Sequence, residues 1–222
     1  VADRAERARD PEHSDGGVRG LIGILGKRGS GKSFCLGGVV RDCSRILVFD
    51  TVCQFTPDQL PGFTCITQPG RLVAFLRQHR GGSFKIIYRG EHHPEQHFSY
   101  VAALVAAVGD LVFAIDEIDY FGTAGACDEK LDWLIRYGRH RRVAMVYTAR
   151  RPAEVPRNLT AQSSEFRIFR LTEPRDIEYM RRLIGPAAER LPQLEQFSHL
   201  RYQDSGAAEI IDARGRAVSF SE

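Results

Sequence analysis

The sequence predicts an α/β fold, a mainly parallel sheet with helices on both faces and a small C-terminal extension, on three observations. Short strands that are apolar on both faces alternate with longer amphipathic stretches. A glycine-rich segment joins the first strand to the first helix, and a later apolar strand ends in two carboxylates. A chain of 222 residues buries one substantial core, so a single domain is expected over 20–222, with its core over 20–172 and the extension over 173–222.

The first 17 residues mix both charge signs with almost no large apolar side chains. They cannot offset the entropy of ordering, so a flexible tail is expected over 1–19. Apolar strands are then expected at 20–25, 45–50, 84–88, 111–115 and 143–148, separated by helices near 33–42, 69–80, 95–108 and 128–138. After Pro152 the pattern gives one more strand over 166–169, a helix from Pro174 to Ile184, and a terminal hairpin of 199–202 with 209–212 around Asp204-Ser205-Gly206. In such a sheet, ligands bind at the C-terminal ends of the strands.

Composition bounds the function classes. Formal net charge is only +3, so the total does not demonstrate nucleic-acid binding, although the positive charge is almost all arginine and is clustered. Five cysteines, Cys35, Cys43, Cys53, Cys65 and Cys127, are odd in number, lack C-x-x-C spacing and mostly fall in apolar surroundings. Reduced thiols are expected, without a structural disulfide or zinc. The longest apolar stretch, 101–115, is broken by Gly109-Asp110 and is too short to cross a bilayer, and no signal peptide opens the chain. The expectation is a soluble, cytoplasmic protein without a transmembrane segment.

Gly26-Lys27-Arg28-Gly29-Ser30-Gly31-Lys32-Ser33 fits the phosphate-loop pattern G-x-x-x-x-G-K-[ST], between the strand Leu21–Leu25 and a helix that Phe34 continues. Backbone N–H groups of such a loop converge on phosphate at a helix N-terminus. Residues 26–34 are therefore expected to hold ATP. Lys32, solvent-facing without ligand, would reach the outer phosphates, and the Ser33 hydroxyl would ligate Mg²⁺. The strand Leu111–Ile115 ends in Asp116-Glu117. Asp116 would hold the Mg²⁺ shell through water, and Glu117 would orient and polarise a water for in-line attack on the γ-phosphate. That glutamate favours hydrolysis over transfer to a small-molecule acceptor, for which no lid is identifiable. Guanine specificity is disfavoured, since the guanine-reading motif begins N-K-x-D and the sole asparagine, Asn158, precedes leucine.

Two further segments weigh less. His93 and His97 are spaced i, i+4 beside His92, as metal ligands can be, but no second ligand cluster supports them and a solvated surface is expected. Asp119 to Gly125 reads as a flexible loop with two aromatics, Tyr120 and Phe121, that flanks the site or approaches a channel.

Arg136-Tyr137-Gly138-Arg139-His140-Arg141-Arg142 precedes the strand 143–148, and Arg150-Arg151-Pro152 follows it. With the phosphate loop, the strand ending Phe49-Asp50 and the D-E strand, this order resembles the HerA/FtsK-type P-loop ATPases over 20–172, and in compactness the packaging ATPases of membrane-containing icosahedral viruses. The resemblance implies a RecA-like core. It also implies ATP hydrolysis coupled to sequence-independent translocation of double-stranded DNA by a homo-oligomeric, hexameric ring, with a capsid or viral membrane protein as docking partner. It makes Arg139 the best match to an arginine acting in a neighbour's site, with Arg136 and Arg142 able to substitute. Relatives often end the following strand in glutamine; this chain has Thr148-Ala149-Arg150, so Thr148 or Arg150 would serve as sensor. The alternative resemblance is to zonula-occludens-toxin-like ATPases of phage morphogenesis or secretion, acting on protein or single-stranded DNA. Those relatives normally carry a membrane-spanning segment.

Overall fold

The computed structural model describes residues 18–56, 58–90 and 94–218. Residues 1–17 of the tail expected over 1–19, and His92 and His93, lie outside them. Val18, inside the stretch expected to be a tail, is only 3% exposed and packs in the core. The elements run β1 (Leu21–Leu25), α1 (Lys32–Val40), β2 (Arg45–Phe49), β3 (Thr64–Ile66), α2 (Pro69–Gln78), β4 (Phe84–Tyr88), α3 (Pro94–Val108), β5 (Leu111–Ile115), β6 (Gly122–Thr123), β7 (Ala126–Cys127) and α4 (Glu129–Tyr137). There follow β8 (Val143–Ala149), α5 (Arg157–Ala161), β9 (Glu165–Phe169), α6 (Pro174–Ile184), β10 (His199–Gln203), β11 (Ala208–Ile211) and β12 (Ala217–Val218).

Ten strands form one sheet in the order β12-β11-β10-β9-β1-β8-β5-β2-β4-β3. Pairing is parallel from β9 through β3 and antiparallel from β9 out to β12. The chain leaves β1, crosses over β8 and β5 and re-enters at β2, which opens a crevice at the C-terminal strand ends. Strand alternation sorts the apolar side chains onto two faces. Ile46, Val48, Val112, Ala114 and Val146 pack under Leu36, Val39 and Val40 of α1. Leu47, Phe49, Phe113, Ile115, Met145 and Tyr147 pack under α2, α3, α4 and α6. Gly23, inside β1, is explained by its neighbours: a Cβ there would lie 2.6 Å from Tyr147 Oη and 2.9 Å from Phe166 Cδ1, so the flanking aromatics fill its space.

Helix ends follow local chemistry. Asp128 caps α4, accepting from the N–H groups of Lys130 at 2.8 Å and Leu131 at 3.1 Å, a contribution of about 1 kcal/mol. Glu173 caps α6 by accepting from Asp176 N–H at 3.0 Å, and Pro174 occupies the first turn, where its missing donor costs nothing. Buried Asp176 accepts from Arg151 Nε at 2.9 Å and Ala153 N–H at 3.1 Å. It thereby ties the segment after β8 to α6.

Three expectations are corrected. The segment 119–125 is not an open loop: Ile118–Tyr120 is a 3₁₀ turn and β6 pairs with β7. Phe121 is buried, its ring stacked on Phe98 at 3.8 Å, because it fills the core under β2 and β5; only Tyr120 remains exposed. Cys53 and Cys65 are exposed rather than in apolar surroundings, and all five cysteines are free thiols. His97 accepts or donates in a 2.7 Å bond with Tyr88 Oη, which gives it a packing role.

His199 on β10 carries a testable consequence. Burial, reinforced by the Arg167 guanidinium and opposed by Glu165, lowers its pKa to about 4, below the ordinary value near 6.5. The unfolded chain therefore takes up this proton first, and the stability that neutral His199 contributes above pH 6.5 is lost as pH falls toward 4. The Tm of the parent is expected to fall more over that interval than that of His199→Gln. Parallel Tm curves would assign the acid sensitivity to other groups.

Candidate active site

Four adjacent strand ends build the site: the loop 26–33 follows β1, Thr148 to Arg150 end or follow β8, Asp116-Glu117 follow β5, and Asp50 to Gln54 follow β2. The loop closes on three glycines at positive φ, Gly26 (155°), Gly29 (75°) and Gly31 (107°), a conformation L side chains rarely adopt. Gly26 N–H donates to Ala149 O at 3.1 Å, fixing the loop to β8. A Cβ on Gly26 would fall 2.8 Å from Ser30 Oγ and 2.7 Å from Phe169 Cβ, so the loop needs glycine there. Ser30 Oγ is buried without a partner among the described residues. An orphaned hydroxyl in this loop suits an anion oxygen as acceptor.

Lys32 departs from expectation. It is 6% exposed, and its Nζ donates to Lys27 O at 3.3 Å. Burial lowers its pKa, with Glu117, Asp116 and Asp119 opposing.

Asp116 is fully buried at the end of β5. Its Oδ1 accepts from Thr148 Oγ1 at 2.8 Å and its Oδ2 from Gln54 Nε2 at 2.6 Å, while Thr51 Oγ1 donates to its carbonyl. Burial pushes its pKa up to about 6, the neighbouring Glu117 and Asp50 adding to the effect. Glu117 adopts φ 55°, ψ 62°, a left-handed conformation that costs on the order of 1–3 kcal/mol. The Thr148 hydroxyl accepts from its N–H at 2.8 Å, and the carboxylate faces the cleft 2.7 Å from Arg150 Nε. Burial raises the Glu117 pKa, with Lys32 opposing. Arg150 also lies 3.4 Å from Asp119 and over the Tyr120 ring at 5.5 Å.

The structure thus brings together Lys32, Ser33, Phe34, Glu117 and Arg150 around one cleft of about 610 Å³, with Asp116 buried behind it. The two sensor candidates separate: Thr148 is buried scaffolding under the acidic pair, and Arg150 faces the cleft. Arg139 does not join the cleft of its own chain. It sits in the 3₁₀ turn Gly138–Arg141 before β8, at the opposite ends of the strands and about 20 Å along the sheet. Its neighbours are engaged: Arg136 with Asp132 at 2.7 Å, Arg141 with the carbonyls of Ala106 and Ala107, and Arg142 with Asp110 at 3.3 Å. Arg139 is exposed, and its guanidinium makes no hydrogen bond or ion pair among the described residues.

Gln54, Thr51, Asp119 and buried Asp50, which accepts from Arg89 Nε at 2.8 Å, were not marked as site residues by the sequence. Their signal was position, since polar side chains just past an apolar parallel strand lie where ligands bind.

No family model and no curated protein matches the chain in sequence. In structure it is similar to the genome packaging NTPase B204 of Sulfolobus turreted icosahedral virus 2 in complex with AMPPCP, with a TM-score of 0.69 at 17% identity over 86% of this chain and 96% of that one. The N-terminal domain of zonular occludens toxin from Neisseria meningitidis matches at a TM-score of 0.50 and 11% identity, over 87% and 93%. The pCW3 conjugation coupling protein TcpA, with ATPγS, matches at 0.51 and 13%, over 84% and 58%. At these identities what is shared is the fold, and the chain carries the P-loop NTPase fold with a RecA-like core that its motif order implies.

Proposed function

We propose that this chain hydrolyses ATP to drive double-stranded DNA, as the genome-packaging ATPase of a virus working as a homo-oligomeric ring. The observation that carries the reading is the convergence of Lys32, Glu117 and Arg150 on one cleft in front of buried Asp116. Loop N–H groups and Lys32, moved from the Lys27 carbonyl, would hold the triphosphate. Mg²⁺ would supply charge neutralisation on the outer phosphates. Both Asp116 oxygens already accept hydrogen bonds, which suits contact with the ion through water, and Ser33 would ligate it directly. Glu117, its basicity raised by burial, would take the proton of the attacking water. Arg150 would sense the γ-phosphate, because the same guanidinium that holds Glu117 faces the cleft.

Support for the DNA motor comes from the likeness to B204, from the arginine-rich composition, and from the unengaged Arg139 guanidinium at the strand ends away from its own loop. In a head-to-tail ring those ends can meet a neighbour's loop, which an isolated subunit cannot achieve. A capsid or viral membrane protein would dock the ring, in the host cytoplasm or on the virion. Among the described residues no helix is long and apolar enough to cross a membrane.

Duplex DNA of any sequence is expected to raise ATP turnover severalfold at about 50 mM salt, and the stimulation should disappear by about 200 mM, as phosphate-directed contacts require. Turnover indifferent to duplex at low salt would sink the motor reading. A response to single-stranded DNA alone, or to a protein partner alone, would favour the zonula-occludens-toxin-like alternative that the fold also accommodates.

A further inference from the structure

The cleft does not end at the phosphate loop. Gly31, Phe34 and Phe197, which form one of its walls, also line a second cavity of about 650 Å³, shared by α1 and the β9–β10 edge. Its other surfaces include Gly38 of α1, and Phe169 and His199 of the sheet.

Three features mark this cavity as built for a flat aromatic occupant. Phe34 is 83% exposed and Phe197 51% exposed, so two aromatic side chains face solvent on a rim next to the phosphate loop. Phe197 holds φ 65°, in a turn closed by Ser198 N–H to Glu195 O at 3.2 Å. A bulky side chain at positive φ is a strained choice where glycine would relax, and strain of this kind concentrates at ligand sites. Its ring lies 3.4 Å from where a Gly31 Cβ would be, directly against the loop. Gly38 stands one turn after Phe34 on the same helix face, with nothing within 4 Å of its Cβ position. Helix interiors disfavour glycine, and here its bareness keeps the cavity open.

The cavity is not a second anion site. Two carboxylates offset the two arginines beside it: Glu165 lies 2.7 Å from Arg167 and 2.9 Å from Arg201, and Glu209 lies 3.4 Å from Arg201. The ring of His199, neutral at pH 7, has no hydrogen-bond partner among the described residues. It offers one donor and one acceptor to a heterocycle edge.

We propose that this cavity is the nucleobase pocket of the triphosphate site: with phosphates on the loop 26–33, the base passes Gly31 and stacks on Phe34 and Phe197. The inference rests on the loop being a nucleotide site. It makes the C-terminal extension, through Phe197, one wall of that site. Stacking uses the π-face that every base has, so His199 supplies the edge contact.

The test is calorimetric titration of Mg-ATP and of Mg-tripolyphosphate, which has the phosphates and no base, into the parent, Phe197→Ala, Phe197→Tyr and Lys32→Ala. Phe197→Ala is expected to weaken ATP about tenfold and leave tripolyphosphate unchanged, while Phe197→Tyr keeps parental affinity for both. Parental ATP affinity in Phe197→Ala, or equal loss of both ligands, would overturn the base pocket while Lys32→Ala still loses both. If Lys32→Ala leaves both affinities untouched, the phosphate-loop reading itself fails and takes the base pocket with it.

Discussion

Glu117→Gln is expected to bind Mg-ATP with parental affinity and to hydrolyse it about 10²- to 10⁴-fold more slowly. The amide keeps the shape of the carboxylate and gives up only its charge, which in the parent lies 2.7 Å from Arg150 Nε at Glu117 Oε2. It loses the basic oxygen that takes the water proton. The backbone at 117 is held in its left-handed conformation by the Thr148 hydroxyl, which accepts from the N–H, and this contact does not depend on the side chain. Binding and chemistry therefore separate cleanly in this variant. Titration and single-turnover hydrolysis measured side by side read the two. Parental turnover would mean that Glu117 serves only to seat Arg150, and that the base lies elsewhere in the cleft, with Asp119 the nearest candidate.

Much of the placement of the candidate site was legible in the chain because its signals are local. The loop pattern at 26–33, the carboxylates closing an apolar strand at 116–117, and strand and helix periods fix which ends of the sheet meet. Strands β4 and β5 and helix α6 fall where the pattern puts them, since each is short, apolar or capped by its own neighbours. What was not legible depends on distant partners. Lys32 was expected in solvent, but the loop folds its own carbonyl over the ammonium, a contact set by three positive-φ glycines rather than by the lysine. Phe121 was read as a loop aromatic; Phe98, 23 positions earlier in sequence, draws it into the core. Gln54 reaches Asp116 across 62 positions, and no spacing rule connects them. Phe197 sits in a turn that no glycine or asparagine marks.

Arg139→Ala is expected to bind ATP normally and lose about 10³- to 10⁵-fold in turnover, the magnitude associated with a guanidinium delivered to transition-state charge by a neighbour. Within one chain the residue has no route to the cleft, since the whole length of β8 separates the turn at 138–141 from Arg150. Its three arginine neighbours are each held by a carboxylate or a carbonyl, which leaves Arg139 as the guanidinium of the cluster available to another subunit. If it acts there, turnover must depend on assembly. Specific activity of the parent should fall on dilution, in step with loss of the oligomer by native mass measurement. Mixing gives the sharper result. Arg139→Ala subunits keep Lys32, Asp116 and Glu117, and Glu117→Gln subunits keep Arg139, so an interface between the two has one complete site although neither protein alone has any. Partial recovery on mixing is therefore expected. If the mixture stays inactive, or if Arg139→Ala alone turns over at the parental rate independent of concentration, Arg139 is a solvated turn residue and the ring loses its mechanistic argument.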